Sequence, residues 1–160
     1  MASNINWLTG SALSRLIALN ADEETQLAFR GVYAVNTLPA RVPYPPALLI
    51  VNSDPSNLAG KHWRAIYIDD KGHGEIFDSL AIPVGPLLEA WINSVTIKWT
   101  CSEAAIQSPF APSCGAFVLH FILHRLSACT LQSYSNTFYT PGLYGRNETF
   151  IRCFVNRLKQ

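Results

Sequence analysis

Four residues of this chain have side chains and spacings suited to nucleophilic catalysis: His62, Asp78, Gln107 and Cys114. The cysteine ends a loop, Gln107-Ser108-Pro109-Phe110-Ala111-Pro112-Ser113, and precedes an apolar run from Ala116 to Leu126. Pro109 and Pro112 fix their own φ and bias the residues before them away from helix, so the loop stays extended until Ser113. Serine is a good N-cap, which would put Cys114 and Gly115 in the first turn of a helix. Unpaired N–H groups and the positive end of the helix dipole lie there, and both favour the thiolate, the reactive form of cysteine. His62 opens one strand pattern and Asp78 closes the next, so hairpin pairing would bring the two side chains to one end of a sheet. A carboxylate in that position holds an imidazole in one tautomer and orientation. Gln107, shortly before Cys114, can aim an amide N–H at a developing oxyanion alongside the Cys114 backbone N–H. Each residue alone has an ordinary reading: a small packed cysteine, a surface histidine, a turn aspartate, a loop glutamine. Their combination points to cysteine-nucleophile hydrolysis.

The elements that must carry these residues follow from periodicity and punctuation. Leu13, Leu16 and Ile17 recur at helical spacing within residues 9–19, with Thr9 or Ser11 as cap, and a shorter helix is expected over 22–27. Residues 29–33 read as a strand or bend, followed by an irregular loop carrying Pro39, Pro43, Pro45 and Pro46. The continuous apolar run Ala47-Leu48-Leu49-Ile50-Val51 predicts a strand covered on both faces. Strands are expected over 62–68 and 74–78, joined by an Asp69-Asp70-Lys71-Gly72 turn, and a fourth over 95–100. Helices are expected over 86–92, with Pro86 in its first turn, over 115–127 and over 147–158, the last after a Ser/Tyr/Thr/Gly-rich loop. Neighbouring strands with helices gathered at both ends favour an α+β architecture, with residues 1–160 as a single domain.

Composition limits the function classes. Hydrophobic residues make up 49% of the chain and charged ones 14%, which argues against a disordered chain and suits a compact body. A net charge of +1 without a Lys/Arg cluster argues against a large electrostatic footprint for nucleic acid. No apolar run approaches membrane-spanning length, and the N-terminus lacks the basic region of a secretory signal. Cys101, Cys114, Cys129 and Cys153 form no C-x-x-C pair, so free thiols in a reducing compartment are expected, and the chain is expected not to be secreted. Asn147-Glu148-Thr149 has the glycosylation pattern but would be irrelevant there. His120 and His124 stand at metal-ligand spacing on one helix, but no Glu follows His120 and no third ligand is evident. No metal site is assigned, and both are expected to be packed or partly exposed helix residues.

At this point the motifs carry a family resemblance. Gly60-Lys61-His62-Trp63, Phe77-Asp78-Ser79, and Gln107 ahead of Ser113-Cys114-Gly115 resemble the His…Asp/Glu…Gln…Cys signature of adenain, the adenovirus maturation protease. Adenain-like proteases also occur in Polinton/Maverick transposons and virophages, and the SUMO-specific proteases of the same clan share the His-Trp pair and the Asp. Phe29-Arg30-Gly31-Val32-Tyr33, Val51-Asn52-Ser53 and the gap from Gln107 to Cys114 are similar to the adenain branch in particular.

The resemblance implies a papain-like cysteine peptidase variant, with a central mixed or antiparallel sheet, helices around it and the nucleophile at a helix start. It implies an endopeptidase that cuts capsid or core precursors during particle maturation, often near glycines. Cys114 would be the nucleophile, His62 its base and later acid, Asp78 the group orienting His62, and Gln107 an oxyanion donor. Trp63, Asn52 and Gly115 would flank the substrate channel. A protein or peptide substrate, a monomer, and residence in the host nucleus or cytoplasm and the virion complete the expectation. The chain departs from the family in two places. Leu80-Ala81-Ile82-Pro83 follows Ser79 where the family has a nearby glycine, and Cys101 does not fall where adenain's peptide-linked cysteine does. Neither the activating peptide nor the DNA of adenain is carried over, and no cofactor is expected. A deubiquitinase or deSUMOylase, and a protease-shaped binding module without activity, are the alternatives.

Overall fold

The computed structural model describes residues 8–53, 62–138 and 142–160. Helix α1, Gly10–Asn20, starts where the Thr9 hydroxyl accepts the Ala12 N–H, and α2, Glu23–Ala28, where the Asp22 carboxylate accepts that of Thr25. Strands β1 (Phe29–Ala34), β2 (Ala47–Asn52), β3 (Trp63–Ile68), β4 (His73–Phe77) and β5 (Lys98–Cys101) form one sheet in that order. β1 runs parallel to β2 and β4 parallel to β5, whereas β2, β3 and β4 pair antiparallel, so the sheet is mixed. Helix α3, Pro86–Val95, connects β4 to β5; α4 (Cys114–His124), α5 (Leu131–Ser135) and α6 (Tyr144–Asn156) follow.

The all-apolar β2 is explained by what covers it. Successive side chains point to opposite faces. Leu48 and Ile50, with Ala65 and Phe77, pack against α1, α4 and α6 on one face. Ala47, Leu49 and Val51, with Ile66 and Ile76, pack against Leu88 and Ile92 of α3 on the other. Every residue of β2 is buried. Helix α4 is the second central element: each residue from Cys114 to Ile122 is buried, which explains a helix that is apolar on all sides. The β3–β4 hairpin closes through the Asp69 carboxylate, which accepts the Lys71 and His73 N–H groups at 2.9 and 2.8 Å, with Gly72 at φ 82°.

Several boundaries differ from expectation for local reasons. Val95 belongs to α3, because that helix runs on until Thr96, and the strand begins at Lys98. The 115–127 helix tightens into a 3₁₀ turn at 125–127, where buried Arg125 pairs with Glu75 of β4. The stretch read as loop contains α5, nucleated by a reciprocal pair of hydrogen bonds between Thr130 and Ser133. Helix α6 starts at Tyr144, earlier than its apolar face suggests, and ends at Asn156.

His120 is buried, and the exposed His124 lies against it. The rings stack at 4.1 Å, His120 Nδ1 bonds the Tyr134 hydroxyl at 2.8 Å, and Phe138, Phe150 and Phe154 surround the His120 ring. Among the described residues no three His, Cys, Asp or Glu side chains gather as a metal site would require. Burial, aided by the charge of His124, pushes the His120 pKa from 6.5 down to about 3. Between those values the unfolded chain takes a proton that the folded one refuses, so stability falls as pH falls, by roughly 1.4 kcal/mol per unit. The urea midpoint should therefore drop between about pH 7 and about pH 5, and His120→Gln should lessen that drop.

Candidate active site

The hairpin does what its sequence suggested for His62 and Asp78. His62 precedes β3 and Asp78 follows β4, and Ala65 pairs with Phe77, so both ends of the hairpin stop at one edge of the sheet. The His62 carbonyl accepts the Ser53 N–H at 2.9 Å, which ties it to the end of β2. His62 Nε2 meets Asp78 Oδ1 at 2.7 Å. Helix α4 packs on the sheet with Gly115 against Trp63, the neighbour of His62, so the Cys114 side chain lies close enough to His62 to favour its protonated form. Because Nε2 is engaged by Asp78, Nδ1 is left for the thiol. His62 and Cys114 are 8% and 7% exposed, so water competes little with either contact.

These contacts set the proton affinity of the imidazole. Burial disfavours the charged ring, but the hydrogen bonds and charges of Asp78 and Cys114 outweigh it and raise the His62 pKa from 6.5 to about 9. For Asp78, burial pushes the carboxyl up, and His62 and Arg64 more than reverse this, holding it below the ordinary carboxylate value. Arg64 is a residue that sequence reasoning passed over. It sits on β3 two positions beyond His62, on the same side of the strand, and its Nε donates to Asp78 Oδ2 at 2.8 Å. Its other end reaches the carbonyls of Ile82 and Pro83. The strand period was the available signal; the identity of the partner was not.

The turn after Asp78 survives without its glycine. Ala81 adopts φ 50°, the left-handed region that glycine prefers, and its N–H bonds the Asp78 carbonyl at 3.1 Å. The Leu80 N–H donates to Asp78 Oδ1 at 2.8 Å, and the Asp78 N–H to the Ser102 hydroxyl at 2.9 Å. The carboxylate thus accepts hydrogen bonds from His62, Arg64 and Leu80.

Gln107 is brought near this edge and is 1% exposed. Its Oε1 accepts from the Ser79 hydroxyl, and its Nε2 donates to the Ala111 carbonyl at 2.6 Å. The loop from 106 to 113 is held from α6. Asn147 Nδ2 donates to the Ile106 carbonyl, and Glu148 Oε1 accepts both the Ser108 N–H and the Ser113 hydroxyl. The Asn147-Glu148-Thr149 pattern is therefore a clamp on this loop, with Asn147 1% exposed. Ser113 corrects one expectation. It stands at the N-cap with φ −99° and ψ 5°, not in the extended conformation of a side-chain cap, and its hydroxyl turns to Glu148. The first-turn N–H groups of α4 are consequently not capped by that side chain.

The three residues expected at a channel are tightly packed. The indole N–H of Trp63 donates to the Leu8 carbonyl at 2.9 Å. A methyl group on Gly115 would lie 3.1 Å from Leu8 Cβ and 3.3 Å from Trp63 Cδ1, so the missing side chain lets α4 approach. Asn52 is buried and pairs with Trp63 in the β2–β3 ladder. Cys101, Cys129 and Cys153 are exposed free thiols.

No protein-family model and no curated protein matches the chain. Solved structures do. The pS273R protease of ASFV superposes with a TM-score of 0.66 at 17% identity, over 99% of this chain and 69% of that one. A second, selenomethionine structure of that protease gives 0.55 at 23%, over 72% of this chain and 46% of that one. The SUMO protease Ulp1, with its catalytic cysteine oxidised to a sulfinic acid, gives 0.54 at 12%, over 94% and 76%. The chain thus has the α+β fold of these proteases, a five-stranded mixed sheet with helices around it. It spans between about half and two thirds of the pS273R chains.

Removing Arg64 leaves a buried carboxylate with one cationic partner in place of two. Arg64→Met should destabilise the protein by about 3 kcal/mol, read from the denaturant midpoint. An unchanged midpoint would show that Asp78 does not need this partner.

Proposed function

We propose that the chain is a cysteine peptidase in which Cys114 is the nucleophile and His62 its proton acceptor and donor. The observation that carries this reading is the buried relay from Asp78 through His62 to a cysteine at the start of α4. An imidazole with a pKa of about 9 stays protonated at neutral pH, and a neighbouring imidazolium is what a thiolate nucleophile of a cysteine peptidase requires. The thiolate attacks the scissile carbonyl carbon, and the carbonyl π electrons move to oxygen. The Cys114 N–H and the free N–H of Gln107 stabilise that oxyanion. When it collapses, His62 gives its proton to the leaving amine and an acyl-thioester remains. Water, deprotonated by His62, then attacks the thioester and releases Cys114. Asp78 keeps the ring in the tautomer that presents Nδ1 to sulfur, and stabilises it when charged.

The finer reading is an adenain-like endopeptidase that trims precursors of a viral or virus-like particle near glycines. The motifs named above and the fold shared with the protease of ASFV support it. Trp63, Asn52 and Gly115 flank the site on its substrate side in this reading. Ulp1, matched over 94% of this chain, supports a second reading, an isopeptidase acting on a ubiquitin-like tail with the same chemistry. A precursor-derived peptide and a ubiquitin-like vinyl sulfone separate the two.

Exposure alone would send an alkylating agent to Cys101, Cys129 and Cys153. Brief treatment with iodoacetamide below neutral pH, followed by mass mapping, should instead label Cys114 first. Preferential labelling of the three exposed cysteines would contradict the assignment. The pH profile gives an independent check. Above about pH 9 His62 loses its proton, so kcat/KM should fall there with an apparent pKa near that value. Asp78→Asn, which removes the charge favouring the imidazolium, should move this alkaline limb to lower pH.

A further inference from the structure

We infer that Ser79 is a positioning residue for the oxyanion hole, its hydroxyl deciding which end of the Gln107 amide meets the substrate. The inference rests on the cysteine-peptidase reading and deepens it. A glutamine amide has two ends of nearly equal size, one a donor and one an acceptor. Only the NH₂ end stabilises an oxyanion; the flipped amide would oppose negative charge with a carbonyl oxygen. The chain settles the choice from both sides. The Ala111 carbonyl accepts only, so the atom 2.6 Å from it is Nε2. Oε1 then faces Ser79 Oγ at 2.5 Å, and the hydroxyl must be the donor. One N–H of Nε2 is used on Ala111, which leaves the other for the substrate.

Burial makes this arrangement dependent on the hydroxyl. Ser79 is 0% exposed and Gln107 1%, so bulk water does not replace a lost donor. The backbone of Ser79 does a separate job: its carbonyl accepts the N–H groups of Ile106 and Gln107 at 2.9 and 3.0 Å. Those bonds remain in Ser79→Ala, so the loop keeps its course and only the amide loses its lock. Ser79 also directly follows Asp78. Adjacent residues of one turn therefore orient the two halves of the site, the imidazole through a carboxylate and the oxyanion donor through a hydroxyl.

The test compares two reagents on one thiol. p-Nitrophenyl acetate acylates Cys114 through a tetrahedral oxyanion and needs no peptide recognition, whereas iodoacetamide alkylates it by displacement without one. The burst of p-nitrophenolate is measured on the full chain and corrected by a Cys114→Ala variant, for Ser79→Ala, Gln107→Ala and the double variant. Ser79→Ala should slow acylation about tenfold, less than the hundredfold or more typical of deleting an oxyanion donor outright. In the Gln107→Ala background the same change should have almost no further effect, and the alkylation rate of Cys114 should be unaltered by Ser79→Ala. A tenfold loss in both backgrounds, or a parallel fall in alkylation, would mean that Ser79 acts through the fold or the His62–Cys114 pair, and overturns the inference. A wild-type chain with no burst beyond Cys114→Ala would instead overturn the peptidase reading itself and this inference with it.

Discussion

One buried negative charge organises the edge of the sheet where His62 and Asp78 meet. Asp78 is 3% exposed, where burial alone would neutralise a carboxyl group. It stays ionised because His62 and Arg64 approach its two oxygens and the Leu80 N–H adds a third donor. The register of β3 against β4 places both cationic side chains, and the Ala81 turn bends the chain so that the backbone donor reaches the same carboxylate. The raised proton affinity of His62 follows in part from this charge.

The other half of the site is built from the far end of the chain. Helix α6 reaches back with Asn147 and Glu148 to hold both ends of the loop that leads into Cys114. Pro109 and Pro112 stiffen that loop from within, and the 79 carbonyl anchors its start. A side chain at a helix start is only as well placed as the helix. The apolar surround of α4 serves that end: every residue from Cys114 to Ile122 is buried against the sheet or its neighbouring helices.

The fold shared with the pS273R protease and Ulp1 at 12 to 23% identity shows how little of a sequence such an architecture needs. Two apolar clusters on opposite faces of a mixed sheet satisfy it, and many hydrophobic combinations fill them. Polar residues at the edge are less interchangeable. Here the turn that elsewhere in the resembling family contains glycine carries an alanine at φ 50°, and an arginine shares the aspartate.

What could be read from the chain was whatever depends on near neighbours. The apolar run of β2, the Asp69–Gly72 turn, the Pro-stiffened loop and the helix after it are local patterns, because period and turn chemistry act over a few residues. That His62 and Asp78 would meet was legible from their place at the ends of neighbouring strands. The partners of the other polar groups were not. Ser113 looked like a cap and instead bonds Glu148, Arg64 looked like an ordinary strand residue, Asn147 looked like a glycosylation acceptor, and α5 was hidden in a polar stretch. Each outcome was decided by a contact between residues distant in sequence, or by a reciprocal hydrogen bond too short in range to leave a periodic signal. A hydroxyl, an amide or a guanidinium has several possible partners of similar strength, and only the packed chain, by excluding water, selects one.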